Sequence, residues 1–178
     1  ADALVAAAQL VVEVRNYVGH LHPEAVITCG DMRVRPGVFN VVPEEAALLV
    51  EFRAADEARL DDIEQMLKEV AGRCARPDGL SVTLEPVHRQ SPVAMHAGLQ
   101  AAIREAAAAL ELGWMELPSG AGHDAQIMAS VTPAGLIFVP SVGGRSHTPD
   151  EYTAPDDLVA GAETLLQTIL TLAKIDYF

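Results

Sequence analysis

Between Ala25 and Arg76 the hydrophobic pattern changes period, and few folds accept that order of periods. Ala25-Val26-Ile27-Thr28-Cys29 is a β-branched run, and Arg33-Val34-Arg35 alternates as a half-solvated strand does. Pro36-Gly37 is turn chemistry. Ala46-Ala47-Leu48-Leu49-Val50-Glu51-Phe52-Arg53 reads as a second strand, set to pair antiparallel with the first. From Asp56 the period becomes helical. Leu60, Ile63, Leu67, Val70 and Cys74 mark an apolar face, and Arg59, Asp62, Glu64, Lys68 and Glu69 mark the wet one. Asp56 is placed to cap this helix.

The flanking stretches extend the pattern. Ala3 to Val18 reads as a helix capped by Asp2, with Leu4, Val5, Ala8, Val11, Val12 and Arg15 recurring at helical spacing. After the turn Pro77-Asp78-Gly79, Leu80 to Val87 alternates as an edge strand. The order helix, strand, strand, helix, strand is that of a βαββαβ sandwich without its first strand. Past His88–Pro92 the chain alternates α and β. Met95–Leu110 is an alanine-rich helix ended by Gly113, and Trp114–Leu117 is a short strand. A helix follows within Gly122–Val131, then a buried strand at Gly135–Val139. Pro155–Ala173 is the last helix, with Leu158, Val159, Ala162, Leu165, Leu166, Ile169 and Leu170 expected inside. These strands are too few for a doubly wound sheet, which takes about five. The expected fold class is therefore α/β in two parts. Residues 1–90 form a small antiparallel sheet with two helices, and residues 91–178 form the closing part of a larger α/β domain. The chain opens without Met and directly in a helical pattern, which suggests that the natural start lies upstream.

A formal charge of −13 argues against a nucleic-acid partner, because phosphate binding needs clustered Lys and Arg. Cys29 and Cys74 have no metal-ligand spacing and read as reduced, buried residues of a cytoplasmic protein. No stretch reaches the roughly 18 apolar residues of a membrane-spanning helix, and no signal peptide opens the chain.

Two glycine-flanked histidines bracket the apolar run Gly135–Pro140, so their loops fall at one end of the expected sheet, where α/β proteins build their sites. His147 follows Gly143-Gly144, with Ser146 and Thr148 beside it and Asp150 and Glu151 one turn on. Those carboxylates could receive the second ring N–H of a metal-bound imidazole, or His147 is a locally bonded loop histidine. Gly120-Ala121-Gly122-His123-Asp124 could cradle an anion on backbone N–H groups, or serve as a plain strand-to-helix turn. It is not a dinucleotide fingerprint, and no phosphate-loop Lys follows. Ser119, His123 and Asp124 do not make a hydrolase triad, since Ser119 lies in no nucleophile elbow. Asn40 lies in an apolar run and needs a partner, and Arg53 offers a fork suited to a carboxylate. The alternative is a turn asparagine and a surface arginine paired with Asp56 or Glu57. His20, His22, His88 and His96 read as solvated.

Taken together, Gly120–Ala125, Pro140 and Ser146-His147-Thr148-Pro149-Asp150-Glu151 resemble the C-terminal half of zinc-peptidase-like amidohydrolases. The nearest group is the N-carbamoyl-L-amino-acid hydrolases, β-ureidopropionases and allantoate amidohydrolases. Asn40-Val41-Val42-Pro43 resembles their N-V-I-P turn, and Arg53 falls where their carboxylate-binding arginine sits. Ala1-Asp2-Ala3-Leu4 is similar to the residues just after their H-A-G-T-x-P-M-x-x-R segment. The resemblance implies a ferredoxin-like lid that makes a homodimer, inserted in an aminopeptidase-like α/β catalytic domain. It implies two divalent metals, zinc or manganese, and a glutamate base acting on a ureido or amide substrate with a carboxylate. It assigns His147 as a metal ligand and Asn40, Arg53 and the Gly122 backbone to substrate binding, with His123 lining the same pocket.

The family's other metal ligands, its glutamate base and its lid histidine all precede the segment present here. One histidine does not make a catalytic zinc site, which takes three protein ligands. The expectation is a fragment of a metal-dependent amidohydrolase that neither holds the metals nor turns over alone. The competing expectations are a non-catalytic dimerisation or carboxylate-binding module, and part of a related metallopeptidase or deacylase.

Overall fold

The computed structural model describes residues 1–173. The chain divides into two units: residues 1–92 together with 118–120, and residues 93–117 together with those from 121 on.

In the first unit, α1 (Ala3–Leu21) leads into β1 (Val26–Arg35), β2 (Glu45–Arg53) and α2 (Glu57–Ala75). Asp2 caps α1 by accepting from the Leu4 and Val5 N–H groups at 3.1 and 3.2 Å, and Asp56 caps α2 through Arg59 N–H at 2.8 Å. β1 and β2 pair antiparallel from Val26↔Arg53 to Arg35↔Glu45, with a bulge at Gly30 between the Cys29 and Asp31 pairs. Strict alternation along β2 turns Leu48, Val50 and Phe52 inward and leaves Leu49, Glu51 and Arg53 on the opposite face. The core joins Val14 and Val18 of α1 to Ile63, Met66, Leu67, Val70 and Cys74 of α2, with Ile27, Val50 and Phe52 packed against it. An ion pair between Glu13 and Arg73 ties the two helices at their rim.

The face of α1 differs from expectation. Leu4, Val5 and Val12 are exposed, whereas Ala3, Ala6, Ala7, Val14 and Val18 are buried. The helix is apolar nearly all round, so spacing alone left its phase open, and the neighbouring α2 decides it. His22 is not solvated either. It bonds Asp62 at 2.7 Å and lies beside Tyr17.

Leu80–Val87 carries no ladder partner among the described residues and is extended rather than a strand. Its continuation is fixed by side chains instead. Arg89 reaches Glu57, Asp61 and Glu64 of α2 at 2.6–2.8 Å.

In the second unit, α3 (Ala97–Ala109), α4 (Asp124–Met128) and α5 (Pro155–Ala173) accompany the extended stretches Trp114–Leu117 and Gly135–Val139. Neither stretch pairs as a strand among the described residues, contrary to expectation, because no ladder partner lies beside it there. His96 N–H donates to Ala134 C=O at 2.9 Å, and Arg104 pairs with Glu116 and lies 6.0 Å from the Trp114 ring. The inward face of α5 also corrects expectation. Thr164 and Thr168 are its buried residues, while Leu158, Val159, Leu165, Leu166, Ile169 and Leu170 are exposed. The buried hydroxyls bond the carbonyls one turn back, at 2.8 and 2.7 Å. Gly161 belongs to this small-residue face, and a Cβ there would collide with Val139. Small side chains let α5 approach the alanines Ala102, Ala106 and Ala107 of α3 closely.

Candidate functional site

The period of β2 sets the first part of the site. Glu51 and Arg53 are two residues apart on one strand and share a face. The Arg53 guanidinium donates to both Glu51 oxygens, Nε to Oε1 at 2.9 Å and Nη2 to Oε2 at 3.1 Å. Its Nη1 donates to Gly120 C=O at 2.9 Å. The fork thus grips a carboxylate in the bidentate manner for which arginine is suited, with the first glycine of the Gly120–Gly122 loop as a third anchor. Asp56 and Glu57, the alternative partners, are engaged elsewhere, by Arg59 and Arg89.

Asn40 lies outside the strands. Val41 N–H closes a turn onto Val38 C=O at 3.3 Å, and Asn40 is exposed within it. The apolar run around it, Phe39, Val41 and Val42, is exposed as well, so burial does not force a partner on Asn40.

In the second unit, His123 precedes α4 at its N-cap position and does not cap it with its side chain. Its ring packs edge-on against Phe138 at 5.3 Å, which joins the glycine loop to the Gly135–Val139 stretch. Gly122 beside it is exposed. With five residues, α4 is too short to act as an anion-binding helix end.

His147 sits in a loop closed on itself. Val142 N–H meets Tyr152 C=O at 2.8 Å at the neck, and Gly144 N–H meets Ser141 C=O at 2.9 Å. Gly143 and Gly144 both adopt positive φ, 67° and 65°, which explains the paired glycines. Ser141 Oγ donates to Arg145 C=O at 2.5 Å, and Arg145 bonds Asp150 at 2.8 Å. His147 itself has φ 58°, and its backbone N–H donates to Glu151 Oε2 at 2.9 Å. The acidic pair thus acts otherwise than expected: Asp150 holds Arg145, and Glu151 holds the His147 backbone instead of its ring.

Asn40 and Arg53 belong to the first unit, and Gly122, His123 and His147 to the second. Among the described residues no group of three His, Cys, Asp or Glu side chains is placed to hold a metal ion. His147 alone does not supply the three protein ligands of a catalytic zinc, and among the described residues no set of three ligands lies around it. Three contacts went unread in the sequence: Glu51 on Arg53, Phe138 on His123 and Ser141 on Arg145. The two-residue period of β2 carried the signal for Glu51; for the others no local pattern exists.

Comparison with known proteins places these residues in context. Residues 3–171 match the sequence profile described as peptidase family M20/M25/M40. The N-carbamoyl-L-amino-acid amidohydrolase of Paenarthrobacter aurescens is 37% identical over 173 residues, covering 97% of this chain and 42% of that protein. The allantoate amidohydrolase of Bacillus subtilis is 34% identical over 173 residues, again 97% of this chain and 42% of the relative. A solved amidase of the hydantoinase/carbamoylase family from Burkholderia multivorans superposes with a TM-score of 0.86 at 37% identity, over 96% of this chain and 41% of that one. The chain thus spans about two fifths of the length of the relatives it matches.

Proposed function

Because the chain belongs to peptidase family M20/M25/M40, we propose that it is the C-terminal portion of a metal-dependent amidohydrolase that hydrolyses the C–N bond of N-carbamoyl amino acids or allantoate-like ureido acids. The observation that carries this reading is Arg53, whose fork holds a carboxylate at the end of β2. Each of these substrates has a carboxylate beside the bond to be cut, and Glu51 occupies the place such a group would take. Asn40, Gly122 and His123 complete substrate binding. His147 contributes one ligand to a pair of zinc or manganese ions whose other ligands, like the general base, come from the remainder of a longer protein.

On this reading residues 1–90 are the lid and dimerisation domain of a cytoplasmic homodimer, and residues 91–178 are part of the catalytic domain. The exposed apolar side of α5 supports the second assignment. Leu158, Leu165, Leu166 and Ile169 are each more than half exposed, a row that an α/β layer ordinarily covers.

The test is turnover of N-carbamoyl amino acids and of allantoate with added Zn²⁺ or Mn²⁺. The 178-residue chain alone should be inactive, and the same chain joined to its upstream sequence should be active. Turnover by the chain alone, or inactivity of the longer protein on both substrate classes, overturns the reading.

A further inference from the structure

The loop from Ser141 to Tyr152 holds its histidine in an unusual backbone state. His147 has φ 58°, a left-handed conformation that costs a non-glycine residue of order 1 kcal/mol or more unless its surroundings impose it. The residues around it are pinned by a series of bonds that skip over His147: Val142 to Tyr152, Ser141 to Arg145, Arg145 to Asp150, and Glu151 N–H to Thr148 C=O at 3.1 Å. Among the described residues, one hydrogen bond reaches His147 itself, the 2.9 Å donation of its N–H to Glu151 Oε2. A hydrogen bond to a charged acceptor is worth enough to select one conformation of an exposed loop residue.

We propose that Glu151 is the positioning residue of His147: its carboxylate accepts the His147 backbone N–H and holds that residue in the left-handed conformation from which the loop presents the imidazole. This rests on His147 being a ligand in the longer enzyme, and it assigns Glu151 a task other than orienting the ring. Any change of the acceptor should act on the backbone of residue 147 first. Because Glu151 is exposed, its replacement leaves the packing of α3 against α5 untouched.

The experiment compares the full chain with E151Q and E151A, by amide hydrogen exchange and by the φ-sensitive coupling of residue 147. E151A should raise exchange at the His147 amide about tenfold to a hundredfold, as loss of a charge-assisted bond does, and move the coupling off its left-handed value. Exchange within α3 and α5 should not change. E151Q, which retains a side-chain oxygen, should stay within a few-fold of the parent. The proposal is overturned if E151A leaves the His147 amide unchanged, if exchange rises throughout the second unit, or if E151Q behaves as E151A does. The metal content of the longer enzyme carrying H147A reads the ligand role separately. Full metal content there refutes the ligand reading, while the exchange data still decide whether Glu151 anchors residue 147.

Discussion

Ile63 offers the sharpest test of the first unit. It is 0% exposed and belongs to a cluster with Val14, Val18, Met66, Leu67, Val70 and Cys74 of the two helices, against which Ile27, Val50 and Phe52 of the sheet pack partly buried. Truncation to Ala removes the buried branches and leaves a cavity, at a cost of about 2–5 kcal/mol. Because α1 is tied at its rim by Glu13–Arg73 and at its start by Ala3 N–H to Pro43 C=O at 3.0 Å, the wall around the cavity cannot readily collapse. The cost should fall in the upper half of that range. I63V should cost only about 0.5–1.5 kcal/mol. Urea denaturation measures both, with amide exchange in α1 and α2 assigning the transition to this unit. At an m value of about 1–3 kcal/mol/M, a loss of about 3 kcal/mol lowers the midpoint by about 1–3 M. L166A on the exposed side of α5, at 57% exposure, is the control and should stay within about 0.5 kcal/mol. An I63A loss below about 1 kcal/mol, or equal losses at the two sites, would refute the core described above.

Two further outcomes follow from charge. Ser91 and then Arg89 hold the Glu57 carboxyl below its usual 4.5, and Lys68 does the same for Glu64. Depressed carboxyls stabilise the fold above about pH 4.5, and that contribution is lost as pH falls through their folded values. R89M should therefore flatten the acid limb of a stability–pH curve, and an unaltered limb measured by denaturation would contradict this. On the proposed reading Glu51 competes with a substrate carboxylate for Arg53, so in the longer enzyme E51Q should tighten calorimetric binding of an N-carbamoyl amino acid about two- to fivefold, the scale of an exposed ion pair. R53M should abolish binding, and an E51Q that binds more weakly would show that Glu51 assists instead of competing.

How far the sequence could be read depended on how one-sided each element is. α2 is amphipathic, and Leu60, Ile63, Leu67, Val70 and Cys74 are all buried as its spacing predicts. α1 and α5 are rich in apolar residues on more than one side, so their periodicity marks a helix without marking its inward face. In α5 the wide stripe from Leu158 to Leu170 outweighs the smaller signal of Gly161, Thr164 and Thr168, yet only the small residues permit close approach to α3. Leu80–Val87 has a strand's alternation, but a strand also needs a neighbour, which alternation does not supply. The period of β2 was enough to put Glu51 and Arg53 on one face. The left-handed state of His147 and the carboxylate that holds it are tertiary facts with no spacing signature beyond Gly143-Gly144.

The two units hold their candidate residues by different means. The first anchors Arg53 on a strand whose inner face is sealed by Ile63, Val18 and their neighbours, each worth about 1.5–3 kcal/mol when fully buried. In the second, the residues buried among those described are only Ala102, Ala106, Ala107, Thr164 and Thr168, and the large side chains of α5 face outward. Apolar cohesion of that kind cannot define a loop geometry to a fraction of an ångström. The Ser141–Tyr152 loop is instead defined by hydrogen bonds that begin and end within itself, from Val142–Tyr152 at the neck to Glu151–His147 at the tip. Its form therefore depends least on whatever covers α5. If His147 serves a metal centre completed by upstream residues, the loop meets those residues already shaped, and the ordering entropy of assembling the site falls mainly on its partners.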